Sequence, residues 1–355
     1  MWKTLGALVT IVIAIVLAVA AWPQFFGLEQ TLGVAQVVSL RGLAIVVAVV
    51  LAIVFLLFAL AKPLRAFAGT MAGLLILFAV ASAIVVVQRG ITPDGTPTTG
   101  QDDSSSEITV LSWNTLGDSV DASTIAAVAV KYGANVIALP ETTAETADAV
   151  ATAMAAAARP MISHTVSFGT ELQARSTSLL ISTGLGAYSV TSPDVPGENA
   201  NTSVLPSVVA VPEHGKGPTI VAVHAVAPLP AEMDAWRSDL QWLSGLCADD
   251  TNGTAETGAG NTILAGDFNA TVDNMWKLRT GTGDFGTCHD AAVATGTAGL
   301  GTWPTSVPTQ VGSPIDHVMS TNEWTTSKLR VLTDYDQAGS DHRPIVATLQ
   351  SRTAP

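Results

Sequence analysis

Three long apolar runs near the start of the chain limit its architecture more than any other feature. Residues 5–22, 43–61 and 66–87 are almost free of charge, and each has about the 20 residues that a helix needs to cross a bilayer core of roughly 30 Å. No small-residue cleavage site interrupts Ala18 to Trp22, and two further runs follow, so the first reads as a span and not as a cleaved signal segment. Together they predict a membrane anchor over residues 1–90, with the lipid bilayer as its partner. None of the runs contains an acid or a base, which argues against a transport path through them.

Orientation follows from the basic residues beside the runs. Lys3 precedes the first, and Lys62 with Arg65 lie between the second and third, whereas residues 24–40 carry no Lys or Arg. This predicts a cytoplasmic N-terminus and, after an odd number of spans, an extracellular C-terminal part. Arg41 and Arg89 weaken the asymmetry.

Residues 91–107 (ITPDGTPTTGQDDSSSE) have no apolar periodicity and predict a flexible tether. Residues 108–350 then form one large domain with its own core, followed by a short tail at 351–355. The formal net charge is -13. About 24 acidic and about 11 basic residues follow the tether, without a basic stripe to track a nucleic acid backbone, so nucleic acid is disfavoured as a partner. The cysteines are Cys247 and Cys288. In an outward-facing domain they predict one disulfide, with two buried free thiols as the alternative. No sequence feature fixes an oligomeric state.

Along the domain, apolar runs repeatedly end on polar residues. Residues 108–113 deliver Asn114, helical spacing covers 121–132, and 135–139 lead through Pro140 to Glu141. This strand, helix, strand order predicts layered α/β architecture. An Ala-rich helix is expected at 144–158, strands at 178–182 and 207–211, and a surface hairpin or loop at 184–206. The strand at 219–223 delivers His224, and an amphipathic helix covers 232–246.

Residues 262–265 run as a buried strand into Gly266-Asp267-Phe268-Asn269. The glycine permits close backbone approach, and an acid and an amide on one side of the chain suit a site that handles a proton and orients an anionic oxygen. A strand end with an Asx turn fits the same residues. A helix is expected around 273–280, and Trp303-Pro304-Thr305 reads as a rigid turn whose indole walls a cleft. Asp316 lies on a strand at 314–319, and Asp341-His342 precede the last strand at 345–349. Three of the strand-end residues also have a plainer role open to them: Glu141 as a helix cap, His224 as a satisfied structural histidine, Asp316 as a brace for its strand.

Collected, the strand-end residues are Asn114, Glu141, His224, Asp267, Asn269, Asp316, Asp341 and His342. Carboxylates, amides and imidazoles without clustered cysteines indicate a hard divalent cation, Mg2+ or Mn2+, and such a set suits phosphoryl chemistry.

The segments Ser112-Trp113-Asn114, Leu139-Pro140-Glu141, Val223-His224-Ala225, Gly266 to Asn269, Ile315-Asp316-His317 and Ser340-Asp341-His342 stand in an order that resembles the endonuclease/exonuclease/phosphatase superfamily, which includes DNase I-like nucleases, neutral sphingomyelinases and inositol polyphosphate phosphatases. The resemblance implies a four-layer α/β sandwich, two packed mixed β-sheets flanked by helices, with the site at one edge. It implies that Glu141 is the main metal ligand, with Asn114 and Asp341 supporting the cation or its waters. It also implies that Asp267 and His342 transfer protons, Asp316 orients His342, and Asn269 with His224 bind phosphate oxygens. Pro140 stands where many members have glutamine, and His317 where an aromatic is common.

The joining of a few spans to an exported domain of this kind is similar to the teicoplanin-resistance type membrane proteins of bacteria. That similarity implies an envelope lipid-linked phosphate or a phospholipid head group as substrate. The reading is therefore a membrane-anchored, outward-facing, metal-dependent phosphatase or phosphodiesterase. An exported nuclease and a non-catalytic binding or scaffolding module compete with it. The full set of proton-transfer and metal positions argues against the last.

Overall fold

The computed structural model describes residues 2–96, 107–169, 171–196, 200–215, 217–248 and 260–352. The chain opens with helices α1 (Trp2–Ala21), α2 (Pro23–Phe26), α3 (Val34–Ser39), α4 (Arg41–Phe58) and α5 (Arg65–Arg89). Three of these, α1, α4 and α5, are long and apolar enough to cross a membrane. Ala48 and Ala52 of α4 let the helix approach Leu75, Phe78 and Ala79 of α5, while most other large apolar side chains of the three helices point outward.

The domain contains strands β1 (Asp94–Gly95), β2 (Glu107–Ser112), β3 (Val136–Pro140), β4 (Met161–Ser167), β5 (Ser176–Ser182), β6 (Tyr188–Val190) and β7 (Val208–Pro212). It continues with β8 (Thr219–His224), β9 (Thr262–Asp267), β10 (His289–Asp290), β11 (Asp316–Ser320), β12 (Trp324–Val331) and β13 (Ile345–Ser351). Its helices are α6 (Ala122–Tyr132), α7 (Ala144–Ala156), α8 (Met233–Gly245) and α9 (Ala291–Thr295). A seven-stranded sheet has the order β1-β12-β13-β2-β3-β5-β4, and a six-stranded sheet the order β10-β11-β9-β8-β7-β6. β2 pairs β3 in parallel and β8 pairs β9 in parallel, while the other described pairs are antiparallel.

Alternation along each strand builds the layers. Val110, Ala138 and Leu179 face Ile220, Ala265 and Val318 between the sheets. On the outer side of the first sheet Leu111, Ile137 and Leu180 take Ile125 of α6 with Val150 and Met154 of α7. Outside the second, Val221, Leu264 and Met319 take Trp236, Leu240 and Leu243 of α8. This is the expected four-layer sandwich. Cys247, just after α8, is bridged to Cys288, just before β10, with Cα atoms 5.4 Å apart.

Several local expectations are corrected. β4 and β12 arise where no strand was expected, whereas β6, within residues 184–206, pairs antiparallel with β7 as the expected hairpin. The helix expected around 273–280 is only a 3₁₀ turn at Trp276–Leu278. Its leading residues are engaged elsewhere, because Asp273 binds Arg41 of α4 and Asn274 binds Glu29. Of the expected tether, Asp94 and Gly95 pair with Arg330 and Leu329 of β12, so the part up to residue 96 reaches the sheet. Residues 97–106 of it lie outside the described residues.

The N-terminal helices and the domain meet through buried polar contacts. Arg41 donates to Asp273 Oδ2 from Nε at 3.1 Å and from Nη2 at 3.0 Å, and Arg89 Nη1 donates to the same oxygen at 2.7 Å while its Nη2 donates to Oδ1. Burial pushes the Asp273 carboxyl up, but the Arg89 and Arg41 guanidiniums outweigh it and hold it below the usual range. Asn274 Nδ2 donates to Glu29 O at 3.2 Å, and Gln30 Nε2 donates to Asn274 O at 2.9 Å. At the first turn of α4 the backbones touch: a Cβ on Gly42 would lie 1.9 Å from Gln310 O, so only glycine fits.

Candidate active site

Strand register assembles most of the site. Across the second sheet His224 pairs with Asp267, and Asp267 pairs with Asp316, which places an imidazole and two carboxylates in one row. The row depends on Gly266, where a Cβ would sit 2.0 Å from Val223 O and force β8 and β9 apart. In the first sheet the parallel strands β2 and β3 carry Asn114 and Glu141 to the same end. The Asp341-His342 turn is tied there by Trp113 Nε1, which donates to His342 O at 2.9 Å, and by Ser340 Oγ, which donates to Asn114 O at 2.6 Å.

Two of these residues sit in left-handed backbone, Glu141 with φ 56° and Asn269 with φ 46°. For Glu141 this costs on the order of 1 kcal/mol, and it turns the carboxylate away from the strand. Capping of α7 falls instead to Thr143, whose hydroxyl accepts from Thr146 N. Asn269 N donates to Asp267 Oδ1 at 2.8 Å, an Asx turn, so the turn and the site are the same structure.

The polar groups converge. Asn114 Nδ2 donates to Glu141 Oε1 at 3.0 Å and to Asp267 Oδ2 at 3.1 Å, while its Oδ1 accepts from Leu116 N at 3.0 Å. Its amide oxygen is thereby engaged, and Asn114 aligns the two carboxylates. Asn269 Nδ2 lies 3.3 Å from Asp267 Oδ2 and 2.9 Å from Ala225 O. His342 Nδ1 is 2.9 Å from Asp316 Oδ2, and its Nε2 is 3.7 Å from Asp267 Oδ2. Trp303 Nε1 donates to Asp341 Oδ2 at 2.8 Å.

Burial sets the protonation states. Asp267 is pushed up to about 7, chiefly by burial and further by the Asp316 charge, with His342 opposing. His342 is raised to about 10: burial would lower it, but Asp316 and Asp267 prevail. His224 is held neutral, lowered to about 3 by burial and then by His342. Its 3.9 Å approach to Glu141 Oε1 is therefore a dipolar contact and not an ion pair.

Asp267, Asp316 and His342 offer atoms within 4.8 Å of one another, a group that could hold a metal ion. Yet Nδ1 of a proton-bearing imidazole is committed to Asp316, which suits this trio better to proton transfer. Glu141 and Asp341, whose Oδ1 lies 4.0 Å from His342 Nε2, fit a cation beside it. The Glu141 carboxyl is raised by burial and by the Asp341 charge, and Asp341 Oδ1 is a buried oxygen without a hydrogen-bond partner. A hard divalent cation would compensate both, and oxygen donors are what Mg2+ or Mn2+ takes.

These groups face one cleft of about 420 Å³, lined by Glu141, His224, Asp267, Asn269, Asp341 and His342, with Trp303 as an aromatic wall. Asp316 stands behind His342. His317 takes no part: it bonds Asp290 Oδ2 at 2.7 Å and Ala270 O at 2.9 Å and packs on the Phe268 ring, a structural histidine. The cleft also includes Gln36, Ser39 and Leu40, from the Lys- and Arg-free stretch between the first two apolar runs, to which sequence reading gave no part in the site. Their one sequence signal is Ala35 and Val38, apolar residues three apart that both become buried.

Residues 111–342 match the Endonuclease/Exonuclease/phosphatase family. No curated protein matches the chain by sequence. Among solved structures, a humanized D. rerio TDP2 is 14% identical, with 68% of this chain and 98% of that chain covered and a TM-score of 0.49. An endonuclease/exonuclease/phosphatase from Beutenbergia cavernae is 18% identical, with 70% and 72% covered and a TM-score of 0.47. A mannosyl-6-phosphatase from Bacteroides thetaiotaomicron is 16% identical, with 68% and 99% covered and a TM-score of 0.46. The family match from the end of β2 to His342 takes in every strand-end residue assembled above, and the chain belongs to the endonuclease/exonuclease/phosphatase family.

Proposed function

We propose that this protein is a membrane-anchored, outward-facing, Mg2+- or Mn2+-dependent phosphoesterase that acts on a lipid-borne phosphate of the cell envelope. The observation that carries the reading is one cleft lined by Glu141, Asp267, Asp341 and His342, with His342 Nε2 3.7 Å from Asp267 Oδ2; it supports Asp267 and His342 as a proton-transfer pair beside a cation held by Glu141 and Asp341. A divalent cation there would supply charge compensation for the phosphate oxygens.

The residues themselves divide the remaining work. Asp267, with a carboxyl near neutrality, accepts the proton of the water that attacks phosphorus. As the bond from phosphorus to the leaving oxygen breaks, the His342 imidazolium, held by Asp316, gives that oxygen its proton. His224, kept neutral, and the Asn269 amide orient the phosphoryl oxygens. The acidic domain, without a basic stripe, opposes the nuclease alternative.

Outward orientation has three supports. Lys3, Lys62 and Arg65 lie beside the ends of α1, α4 and α5 opposite those at Ala21, Arg41 and Arg89, where Arg41 and Arg89 meet Asp273 of the domain. Arg41 and Arg89, which weaken the charge asymmetry in sequence, are consumed by Asp273. The Cys247–Cys288 bridge suits an oxidising compartment. An alkaline phosphatase reporter fused after Pro355 is expected to be active; activity only from a cytoplasm-dependent reporter would overturn the orientation.

For the chemistry, the wild type is expected to release phosphate from a lipid diphosphate with Mg2+ and not without it, and to leave plasmid DNA intact. Glu141→Ala should cut that release by about a hundredfold or more while thermal unfolding stays close to wild type. Wild-type turnover by Glu141→Ala at limiting Mg2+ would refute the cation assignment.

A further inference from the structure

The cleft is completed from outside the family's domain. Gln36, Ser39 and Leu40, from the segment between α1 and α4, line it together with Glu141, Asp267 and His342. That segment is seated firmly. Ala35 and Val38 are buried, Gln36 Nε2 donates to Pro228 O, and Gln36 Oε1 accepts from Gly33 N at 2.6 Å. Ser39 Oγ lies 2.9 Å from Asn274 Oδ1, the oxygen that also accepts from Thr271 N at 2.8 Å.

Leu40 immediately precedes Arg41, where α4 begins and where Asp273 clamps the helix to the domain. The edge of the cleft is therefore one residue from the start of a helix long and apolar enough to span a membrane. Leu116, Leu205, Leu229 and Trp303 continue the apolar lining, whereas the ionisable groups belong to the strand-end row. A site with charge at its floor and hydrocarbon at its rim matches an amphiphile. A small soluble phosphate ester would leave the apolar part in contact with water.

We propose that the segment between the first two membrane helices is a substrate-binding wall, with Leu40 receiving the hydrocarbon adjoining a membrane lipid's phosphate while Asp267 and His342 face the phosphate itself. The anchor is then part of the active site, and Gln36, Ser39 and Leu40 determine specificity for lipid-borne over soluble phosphates. This inference rests on the phosphoesterase reading above.

The test uses the full chain in detergent and two matched substrate pairs: dioctanoyl phosphatidic acid with glycerol 3-phosphate, and dioctanoyl phosphatidylcholine with glycerophosphocholine. The quantity read is the ratio of kcat/KM for the lipid member over the soluble member. Leu40→Asp is expected to lower the ratio by about tenfold or more, and the milder Leu40→Ala by about threefold. Equal losses on both members of a pair, or an unchanged ratio in both variants, would overturn the wall. Failure of the wild type to hydrolyse any of the four substrates with Mg2+ would overturn the phosphoesterase reading, and the wall with it.

Discussion

His342→Ala is expected to lower turnover by about a thousandfold and Asp316→Asn by about a hundredfold, with the double variant hardly worse than His342→Ala alone. The 2.9 Å contact between Nδ1 and Oδ2 makes the two residues one device: the carboxylate fixes the tautomer and stabilises the imidazolium, so it has nothing left to act on once the ring is gone. If Asp316 merely braced β11, the losses would multiply. The pair also has a pH signature. A histidine whose folded value is raised to about 10 contributes stability that is fully present below its unfolded value of about 6.5 and is lost as pH rises through the folded value. Nitrogen NMR of the metal-free protein should show His342 still protonated at about pH 8, and Asp316→Asn should move its titration down.

Asp273→Ala should destabilise the full chain by about 3–5 kcal/mol, because two guanidiniums lose their buried counter-charge at once. Arg41 is almost fully buried in the docked state and cannot reach water without separating α4 from the domain. Replacing the triad together by Arg41→Met, Arg89→Met and Asp273→Leu should cost far less than the single change, since no unpaired charge is left behind. Thermal unfolding in detergent reads both. A single variant within about 0.5 kcal/mol of wild type would show that the triad does not fasten the N-terminal helices to the domain.

The strand-end residues were legible because the strands behind them are buried on both faces, so each reads as an unbroken apolar run that stops at the site. β3 and β9 are the plainest cases, since every residue of both is buried and they lead directly to Glu141 and Asp267. β4 was not legible: MISHTVS alternates too weakly, and His164 and Thr165 are half-buried. β12 hides in the same way, since WTTSKLRV places a lysine and an arginine on its wetter face. The left-handed turn at Glu141 left no sequence mark, because the residue is neither glycine nor asparagine. The part played by residues 36–40 depends on contacts with residues more than 190 positions away, Pro228 and Asn274 among them, and no local pattern encodes such a meeting.

The place of β13 in its sheet bears on how the protein is made. β13 lies between β2 and β12, with Glu107 opposite Gln350 and Ser112 opposite Ile345. The first long strand of the domain therefore waits for the last. At roughly 5–20 residues per second, ribosomes take on the order of ten seconds or more to supply that partner, and through this interval β2 has an open edge that can recruit a neighbouring chain. Premature termination anywhere before Ile345 should leave the nascent domain in that state permanently.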